Sequence, residues 1–160
     1  MTEVSDHLTH VRADGAVHMV DVGGKEVTSR TAVAEGFVVT TPEVVRLLEQ
    51  GELPKGEALT VARIAGIMGA KATSTLIPLC HPLALDGVDV DLEPGGDRVR
   101  IEARVRTSGR TGVEMEALTA VTVAALTVYD MLKAVDRSAV ITDIRVLAKA
   151  GGRTGSWSAQ

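Results

Sequence analysis

The sequence predicts an α+β fold in which helices cover one face of an antiparallel sheet. A hairpin of alternating apolar and charged residues lies in the middle of the chain, helical segments flank it, and β-branched segments stand towards both ends. The order strand, helices, hairpin, helix, strand is that of a βαββαβ unit with an extra helix. At 160 residues, the chain is expected to form a single domain over residues 1–160.

The two ends of the chain are expected to be less ordered than its middle. Residues 1–16 are polar without a sustained period, which predicts a flexible arm. Residues 149–160 begin with a basic, glycine-rich run, which predicts a mobile segment. Between them, the β-branched stretches Val17–Val22 and Thr28–Thr40 predict the first two strands.

Two helices should follow these strands. Thr41 can cap the first helix, a proline suits its first position, and Gly51 can end it. A second helical pattern covers Glu57–Lys71, where apolar residues stand near the i, i+3, i+4 spacing. Gly66 and Gly69 inside this pattern indicate close packing against another backbone.

The second half of the chain predicts a hairpin, a buried helix and a last strand. Apolar residues alternate with charged ones over Val88–Leu92 and Val99–Val105, on either side of a turn at Pro94–Gly96. The segment Met115–Val135 is the longest apolar one and predicts a helix buried on most sides. Val140–Ala148 then predicts a strand.

Composition and charge exclude several classes of protein. A net charge of −4 gives no general attraction to polyanions, and one Trp, one Tyr and one Phe are too few for a base-stacking surface. We find no leader-like segment and no charge-free apolar run of about 18 residues. The single cysteine fits a reducing compartment. We therefore expect a cytoplasmic protein without nucleic-acid or membrane partners.

Two prolines bracket the segment Leu79-Cys80-His81. Proline restricts the backbone around it, so His81 should have a defined, non-helical position. A packed apolar loop with an incidental histidine explains the same pattern, and both interpretations stay open. A zinc site is disfavoured because the sequence offers no complete set of ligand spacings. A Cys80 nucleophile is disfavoured because adjacent side chains of an extended segment point apart.

Glu114, Met115 and Glu116 stand at the entrance of the long helix. Carboxylates are favoured there by the helix dipole, so simple capping charge is one interpretation. A single acidic residue would serve that purpose. Two of them around a methionine indicate a site where carboxylates accept hydrogen bonds from a guanine-like ring.

Asp130 and Lys133 are three residues apart on one face of the same helix, close enough for contact. A surface ion pair is the ordinary interpretation. Because the neighbouring residues are apolar, we expect a partly buried pair that can exchange protons. Glu116 precedes Asp130 by 14 residues, which corresponds to roughly 21 Å along an unbroken helix. One substrate could touch both ends most easily where two subunits meet, which predicts an interfacial site.

A phosphate group would need local cations, because the chain as a whole is acidic. The candidates are spread along the sequence: Arg30, Lys55, Arg63, Lys71, Lys133, Lys149 and Arg153. The run Gly151–Gly155 could fold around an anion with its backbone N–H groups, or it could be a polar tail.

Several of these motifs carry a family resemblance over nearly the full chain. The matching segments are Leu8–His10, His18–Val22, Ala62–Ile67, Leu76–Leu83, Thr111–Ala120 and Leu126–Val135. In these segments the sequence resembles the cyclic pyranopterin monophosphate synthases, often called MoaC.

The resemblance implies a ferredoxin-like α+β subunit and a homo-oligomer, a hexamer built as a trimer of dimers with interfacial active sites. It implies conversion of 3′,8-cyclo-7,8-dihydroguanosine 5′-triphosphate to cyclic pyranopterin monophosphate and pyrophosphate in molybdenum cofactor biosynthesis. It implies that the substrate is bound by Leu79, Cys80, His81, Glu114, Met115, Glu116 and Arg30. The implied catalytic groups are Asp130, Lys133 and Lys55, and His81 is a further candidate proton donor or acceptor.

No cofactor is required on this interpretation, although Mg²⁺ could assist, and no metal ligands are assigned. The chain departs from the family pattern at three positions, with Leu132 in place of a cysteine, Ala72 in place of a basic residue and Glu57 in place of an aspartate. The alternatives are a catalytically silent paralogue that binds the nucleotide, and a metal-dependent hydrolase built on His81 and the two glutamates.

Overall fold

The computed structural model describes residues 9–160. It contains five strands and four helices within that range. The elements in chain order are β1 Thr28–Val39, α1 Pro42–Gln50, α2 Ala58–Lys71, α3 Thr73–Leu76, β2 Gly87–Gly95, β3 Arg98–Gly109, α4 Glu114–Leu132, β4 Val140–Ala150 and β5 Trp157–Ser158.

The strands form one antiparallel sheet in the order β2-β3-β1-β4-β5. Its first four members have the connectivity of a βαββαβ unit, which confirms the predicted ferredoxin-like α+β class. The hairpin of β2 and β3 is also confirmed, although its turn is tighter than expected. Gly95 still pairs with Arg98, so the loop holds only Gly96 and Asp97, and Gly96 has a positive φ of 59°.

The helices α1, α2 and α4 supply one side of the core, against apolar residues of the sheet. Side chains alternate along β3, so that Val99, Ile101, Ala103 and Val105 are fully buried while their charged neighbours face away. Aliphatic residues dominate this core, as the scarcity of aromatics requires.

The two glycines of α2 let it approach α4 closely, as the sequence predicted. A Cβ on Gly66 would lie 3.0 Å from the carbonyl oxygen of Ala120, and one on Gly69 would lie 2.8 Å from the Cβ of Val123. A side chain at Gly69 would overlap Val123, and one at Gly66 would require its neighbours to shift. The position of α4 against the rest of the helical layer therefore depends on them.

The predicted strand Val17–Val22 is wrong. Only Val11 and Val17 form a bridge, and Val17 is 67% exposed. The carbonyl of Val20 instead accepts a hydrogen bond from the side chain of His81, so this segment lies over the Leu79–His81 loop and not in the sheet. β-branched residues favour extended backbone but cannot specify a partner strand.

Two smaller differences concern helices. Helix α4 ends at Leu132, three residues before the predicted end at Val135, and the short α3 has no counterpart in the sequence prediction. A four-residue helix has too few apolar positions to produce a periodic pattern.

The sequence predicted flexible segments at both ends of the chain, residues 1–16 and 149–160. Residues 1–8 of the predicted arm lie outside the described residues, and residues 9–16 are exposed. At the other end, β4 continues to Ala150, and β5 pairs with it through Ala148 and Lys149. The flexibility of both ends stays a prediction.

By length and composition α4 could cross a membrane, the only described helix to meet that test. Its apolar window is 56% buried inside the protein, which is typical of the core helix of a globular domain.

The packing of α2 on α4 gives the first testable prediction. We expect Gly69→Leu to lower the free energy of unfolding by about 2 kcal/mol or more, because the added side chain would overlap Val123. The matched control is Thr60→Leu, which places the same side chain on the exposed part of α2 and should change stability by less than about 0.5 kcal/mol. Urea unfolding measures both, and equal effects would contradict the close contact.

Candidate active site

The residues expected to form the site fall into two groups at opposite ends of α4. Glu114, Met115 and Glu116 lie at its first turn, and Asp130 lies near its last. The helix is continuous over 19 residues. At 1.5 Å per residue, Glu116 and Asp130 are therefore separated by roughly 21 Å.

The first group lines a cavity of about 330 Å³. The cavity lies between the first turn of α4, the Leu79–His81 loop and the segment that precedes β1. Its lining contains six of the predicted site residues: Leu79, Cys80, His81, Glu114, Met115 and Glu116. The structure thus brings together the two motifs that the sequence separates by more than 30 positions.

The imidazole of His81 is held by the segment that was expected to be a strand. Its Nε2 lies 2.6 Å from the carbonyl oxygen of Val20, a distance at which the ring N–H donates to the carbonyl. This bond places the proton on Nε2 and leaves Nδ1 as the acceptor in the neutral ring. The side chain is therefore oriented by this hydrogen bond.

Glu116 is a buried carboxyl group, with only 4% of its surface exposed. Burial raises the pKa of Glu116, the nearby charge of Glu114 adds to the rise, and a hydrogen bond from its own backbone opposes it. Burial also raises the pKa of the Cys80 thiol, and the charge of Glu116 adds to that effect. A protonated thiol is a weak nucleophile, which agrees with the sequence argument against Cys80.

A second cavity, of about 670 Å³, adjoins the first. The two cavities share Lys25, Thr111, Gly112 and Glu114. Five basic side chains line the second one: Lys25, Arg30, Arg110, Lys149 and Arg153. Arg30, the remaining predicted binding residue, therefore lies beside the first group and not inside its cavity.

The second group is a carboxylate held between two lysines. The Nζ atom of Lys55 is 2.8 Å from Oδ2 of Asp130, and that of Lys133 is 2.7 Å from Oδ1. Hydrogen bonds from Lys133 and Lys55, with their charges, lower the pKa of Asp130 from 3.8 to about 2. The structure thus adds Lys55, which is 75 residues away in sequence, to the predicted pair.

The expected burial of this pair is wrong for the single chain. The side chains of Asp130 and Lys133 are each 49% exposed, and that of Lys55 is 43% exposed. The apolar neighbours Val128 and Leu132 are fully buried because they lie on the core side of α4. The charged residues lie on the other side, so composition along a helix was a poor guide to burial.

Sequence analysis missed two basic residues of the second cavity, Lys25 and Arg110. Lys25 follows a glycine pair, and Arg110 lies just beyond the end of β3. A search for cations beside glycines at element ends would have found both. By contrast, Arg63 donates to the carbonyl of Val90, and Lys71 ends α2, so neither belongs to these groups.

Among residues 9–160, no group of three or more His, Cys, Asp or Glu side chains is arranged to hold a metal ion. The geometry therefore offers no support for the metal-dependent hydrolase. Basic side chains beside an oriented imidazole and a buried carboxyl group define a class of protein: an α+β protein suited to bind a phosphorylated heterocycle.

Comparison with known proteins identifies the family within that class. Residues 19–152 match the MoaC family, and the chain belongs to it. A cyclic pyranopterin monophosphate synthase of Corynebacterium efficiens is 68% identical over 151 residues, covering 94% of this chain and 97% of the relative. One of Streptomyces coelicolor is 63% identical over 153 residues, covering 96% and 90%. The cyclic pyranopterin monophosphate synthase 2 of Mycobacterium bovis is 61% identical over 154 residues, covering 96% and 92%.

The lysine–aspartate cluster predicts an unusual titration. We expect Asp130 to titrate at about pH 2 and Lys133→Ala to move its pKa towards 3.8, because a hydrogen bond and a charge are lost. Since the folded pKa is below the unfolded one, the cluster stabilises the fold above about pH 4 and loses this effect as pH falls towards 2. Carbon-13 NMR of the carboxyl group measures the pKa, with Lys71→Ala as the control. A wild-type value near 3.8 would contradict the cluster.

Proposed function

We propose that this protein is an enzyme of molybdenum cofactor biosynthesis that converts 3′,8-cyclo-7,8-dihydroguanosine 5′-triphosphate to cyclic pyranopterin monophosphate and pyrophosphate. The observation that carries the proposal is high identity, over nearly the whole of both chains, to relatives named cyclic pyranopterin monophosphate synthase. The family match covers residues 19–152, a range that includes both groups of candidate site residues.

The first cavity is suited to the heterocyclic part of this substrate. A carboxylate is an acceptor for the ring N–H and amino groups that a guanine-derived base presents. Glu114 and Glu116 supply two such acceptors, and Met115 supplies an apolar surface between them. His81, oriented by Val20, is a positioned acid or base for the ring rearrangement.

The lysine–aspartate cluster is suited to proton transfer between fixed partners. Ring opening and ring closure require several proton transfers, and the two ammonium groups, held at 2.7 and 2.8 Å from the carboxylate of Asp130, are positioned proton donors. Because the cluster is exposed, it is accessible to a ligand that is bound mainly by another subunit. Formation of the cyclic phosphate requires a substrate hydroxyl to attack the innermost phosphorus while pyrophosphate leaves, a step promoted by placement and by nearby cations.

We further propose that the active site forms between subunits of a homo-oligomer, a hexamer made of three dimers. The support is the separation of the two groups by an unbroken helix, roughly 21 Å between Glu116 and Asp130. In a two-fold dimer, the carboxyl-terminal group of one subunit can approach the amino-terminal group of its partner. Apolar residues exposed on α2, among them Ile64 and Met68, offer surface for such contacts.

The departures from the family pattern leave these groups in place. Leu132 is fully buried in the core, so its side chain does not enter either cavity. Ala72 follows the last residue of α2, and Glu57 precedes its first. No observation favours the silent paralogue over the enzyme. We propose a cytoplasmic location, which the single cysteine supports, and turnover that does not require Mg²⁺.

The reaction can be tested directly with the cyclic dihydro-GTP substrate. We expect the wild type to release pterin and pyrophosphate, also in EDTA, and Asp130→Ala or Lys55→Ala to lower kcat by at least about 100-fold, since each removes a proton-transfer group. The matched controls, Asp91→Ala and Lys71→Ala, remove exposed charges elsewhere and should keep normal turnover. No product from folded wild type would favour the silent paralogue, and loss of turnover in EDTA would contradict metal independence.

The interfacial site can be tested by complementation. Glu116→Ala and Asp130→Ala subunits, each inactive alone, should recover about a quarter of wild-type activity when mixed, because half of the random dimers keep one intact site. Mixing Asp130→Ala with Lys133→Ala should recover nothing, since both changes damage the same group. Equal recovery in the two mixtures, or none in the first despite verified mixing, would contradict a shared site.

A further inference from the structure

A second histidine, His10, lines the first cavity together with His81. It belongs to the segment that precedes β1, and it is exposed to solvent. An imidazole at the edge of a cavity can exchange protons with a bound ligand and with water. Such a ring can act on a ligand only if its position is fixed.

A short hairpin fixes the backbone of His10. The N–H of His18 donates to the carbonyl of His10 at 2.9 Å, and Val11 pairs with Val17 in an antiparallel bridge. Gly15 lies in the turn between them with a positive φ of 81°, a conformation that suits glycine. The position of His10 therefore depends on that of His18.

The chain that follows this hairpin is attached to the rest of the protein. The carbonyl of Val20 accepts from Nε2 of His81 at 2.6 Å, and the carbonyl of Lys25 accepts from Nε of Arg110 at 3.0 Å. Both attachments lie at the rim of the first cavity. The hairpin with His10 is therefore held against the cavity as part of its wall.

Backbone carbonyls hold the two imidazoles by different nitrogen atoms. Nδ1 of His10 lies 3.3 Å from the carbonyl oxygen of His18, whereas His81 uses Nε2 towards Val20. A carbonyl oxygen can only accept, so these nitrogens carry the proton in the neutral rings. Within residues 9–160, Nε2 of His10 and Nδ1 of His81 form no hydrogen bond. Each ring thus keeps one nitrogen for a ligand.

Two other ionisable groups of the cavity are less suited to exchange protons with a ligand. Oε1 of Glu114 lies 3.1 Å from Nζ of Lys149 and is therefore already paired. Burial raises the pKa of the Cys80 thiol, and the charge of Glu116 adds to this rise. The imidazoles are oriented and keep a free nitrogen, which favours them for this task.

We infer that His10 is a second acid–base catalytic residue of the first cavity, which exchanges a proton with the heterocyclic part of the substrate through Nε2, while His81 does so through Nδ1. This inference rests on the proposed function for the identity of the reaction.

The proton transfer is balanced within the site. Nε2 of His10 takes a proton from an N–H or O–H group of the ligand, and the electron pair of the broken bond stays on the ligand atom. His10 becomes an imidazolium, which returns the proton to another ligand atom or releases it to water. A ring rearrangement needs both a donor and an acceptor, and two imidazoles in different protonation states provide them.

The test measures kcat and KM of His10→Asn with the cyclic dihydro-GTP substrate. Asparagine keeps an N–H near the position of Nδ1 and can still donate to His18, but it cannot take up a proton. We expect kcat to fall by about 100-fold with KM nearly unchanged, because general acid–base catalysis contributes roughly 10²–10⁴-fold to a rate. The matched control, Val17→Ala, removes an exposed side chain of the same hairpin outside the cavity lining and should keep normal turnover.

Other kinetic results would contradict a catalytic role for His10. Normal kcat in His10→Asn with a low kcat in His10→Ala would show that only the hydrogen bond to His18 matters. A raised KM with normal kcat would show a role in binding alone. No turnover by folded wild type would overturn the proposed function together with this inference, whereas turnover that His10→Asn leaves unchanged would overturn this inference alone.

Nitrogen-15 NMR of the full-length protein adds a measurement that does not depend on turnover. With both rings neutral, we expect a proton on Nδ1 of His10 and on Nε2 of His81, because these nitrogens donate to carbonyls. A proton on Nε2 of neutral His10 would overturn the inference, since the nitrogen assigned to the ligand could then not accept.

Discussion

The length and straightness of α4 set the geometry of this protein. Its 19 residues form one unbroken helix that packs on the sheet. Helix α2 packs closely against it at Gly66 and Gly69. A helix so packed cannot bend to bring its ends together. The carboxylates of its first turn and the aspartate near its last therefore serve different surfaces of one chain. A small ligand cannot touch both groups of one chain at the same time, because roughly 21 Å of helix separates them.

Stability and function conflict at the amino-terminal end of this helix. Glu116 is buried where its charged form is disfavoured, which is why its pKa is raised. A neutral side chain of similar shape would cost less in that place. Core packing offers no reason for a carboxyl group there, whereas a ligand with N–H donors would compensate for its burial. The opposite end needs no such compensation, because Asp130 is half exposed and already paired with two lysines.

Local sequence signals, such as capping residues and alternating apolar positions, predicted most of the fold. Thr41 accepts from the N–H of Val44 and Gly51 has a positive φ of 66°, as the capping residues predicted, and the alternation along β3 fixed its buried face. The same reasoning wrongly placed Val17–Val22 in a strand. Its β-branched residues favour an extended backbone, but composition does not specify a partner strand. For the site, local motifs indicated most of the residues, and the family resemblance implied their roles. The pairing of Lys55 with Asp130 joins positions 75 apart, which only the tertiary fold brings together.

The distribution of charge has a further consequence for catalysis. A substrate with a triphosphate would bind too weakly to a uniformly acidic surface, and too indiscriminately to a uniformly basic one. This chain places both kinds of charge side by side: Glu114 and Glu116 line the first cavity, and five basic side chains line the adjoining one. The lysine–aspartate cluster, with two ammonium groups and one carboxylate, keeps a net positive charge and is distinct from both cavities. Because two ammonium groups share one carboxylate, part of their positive charge is offset within the cluster, and the excess of positive charge there is smaller than along the second cavity.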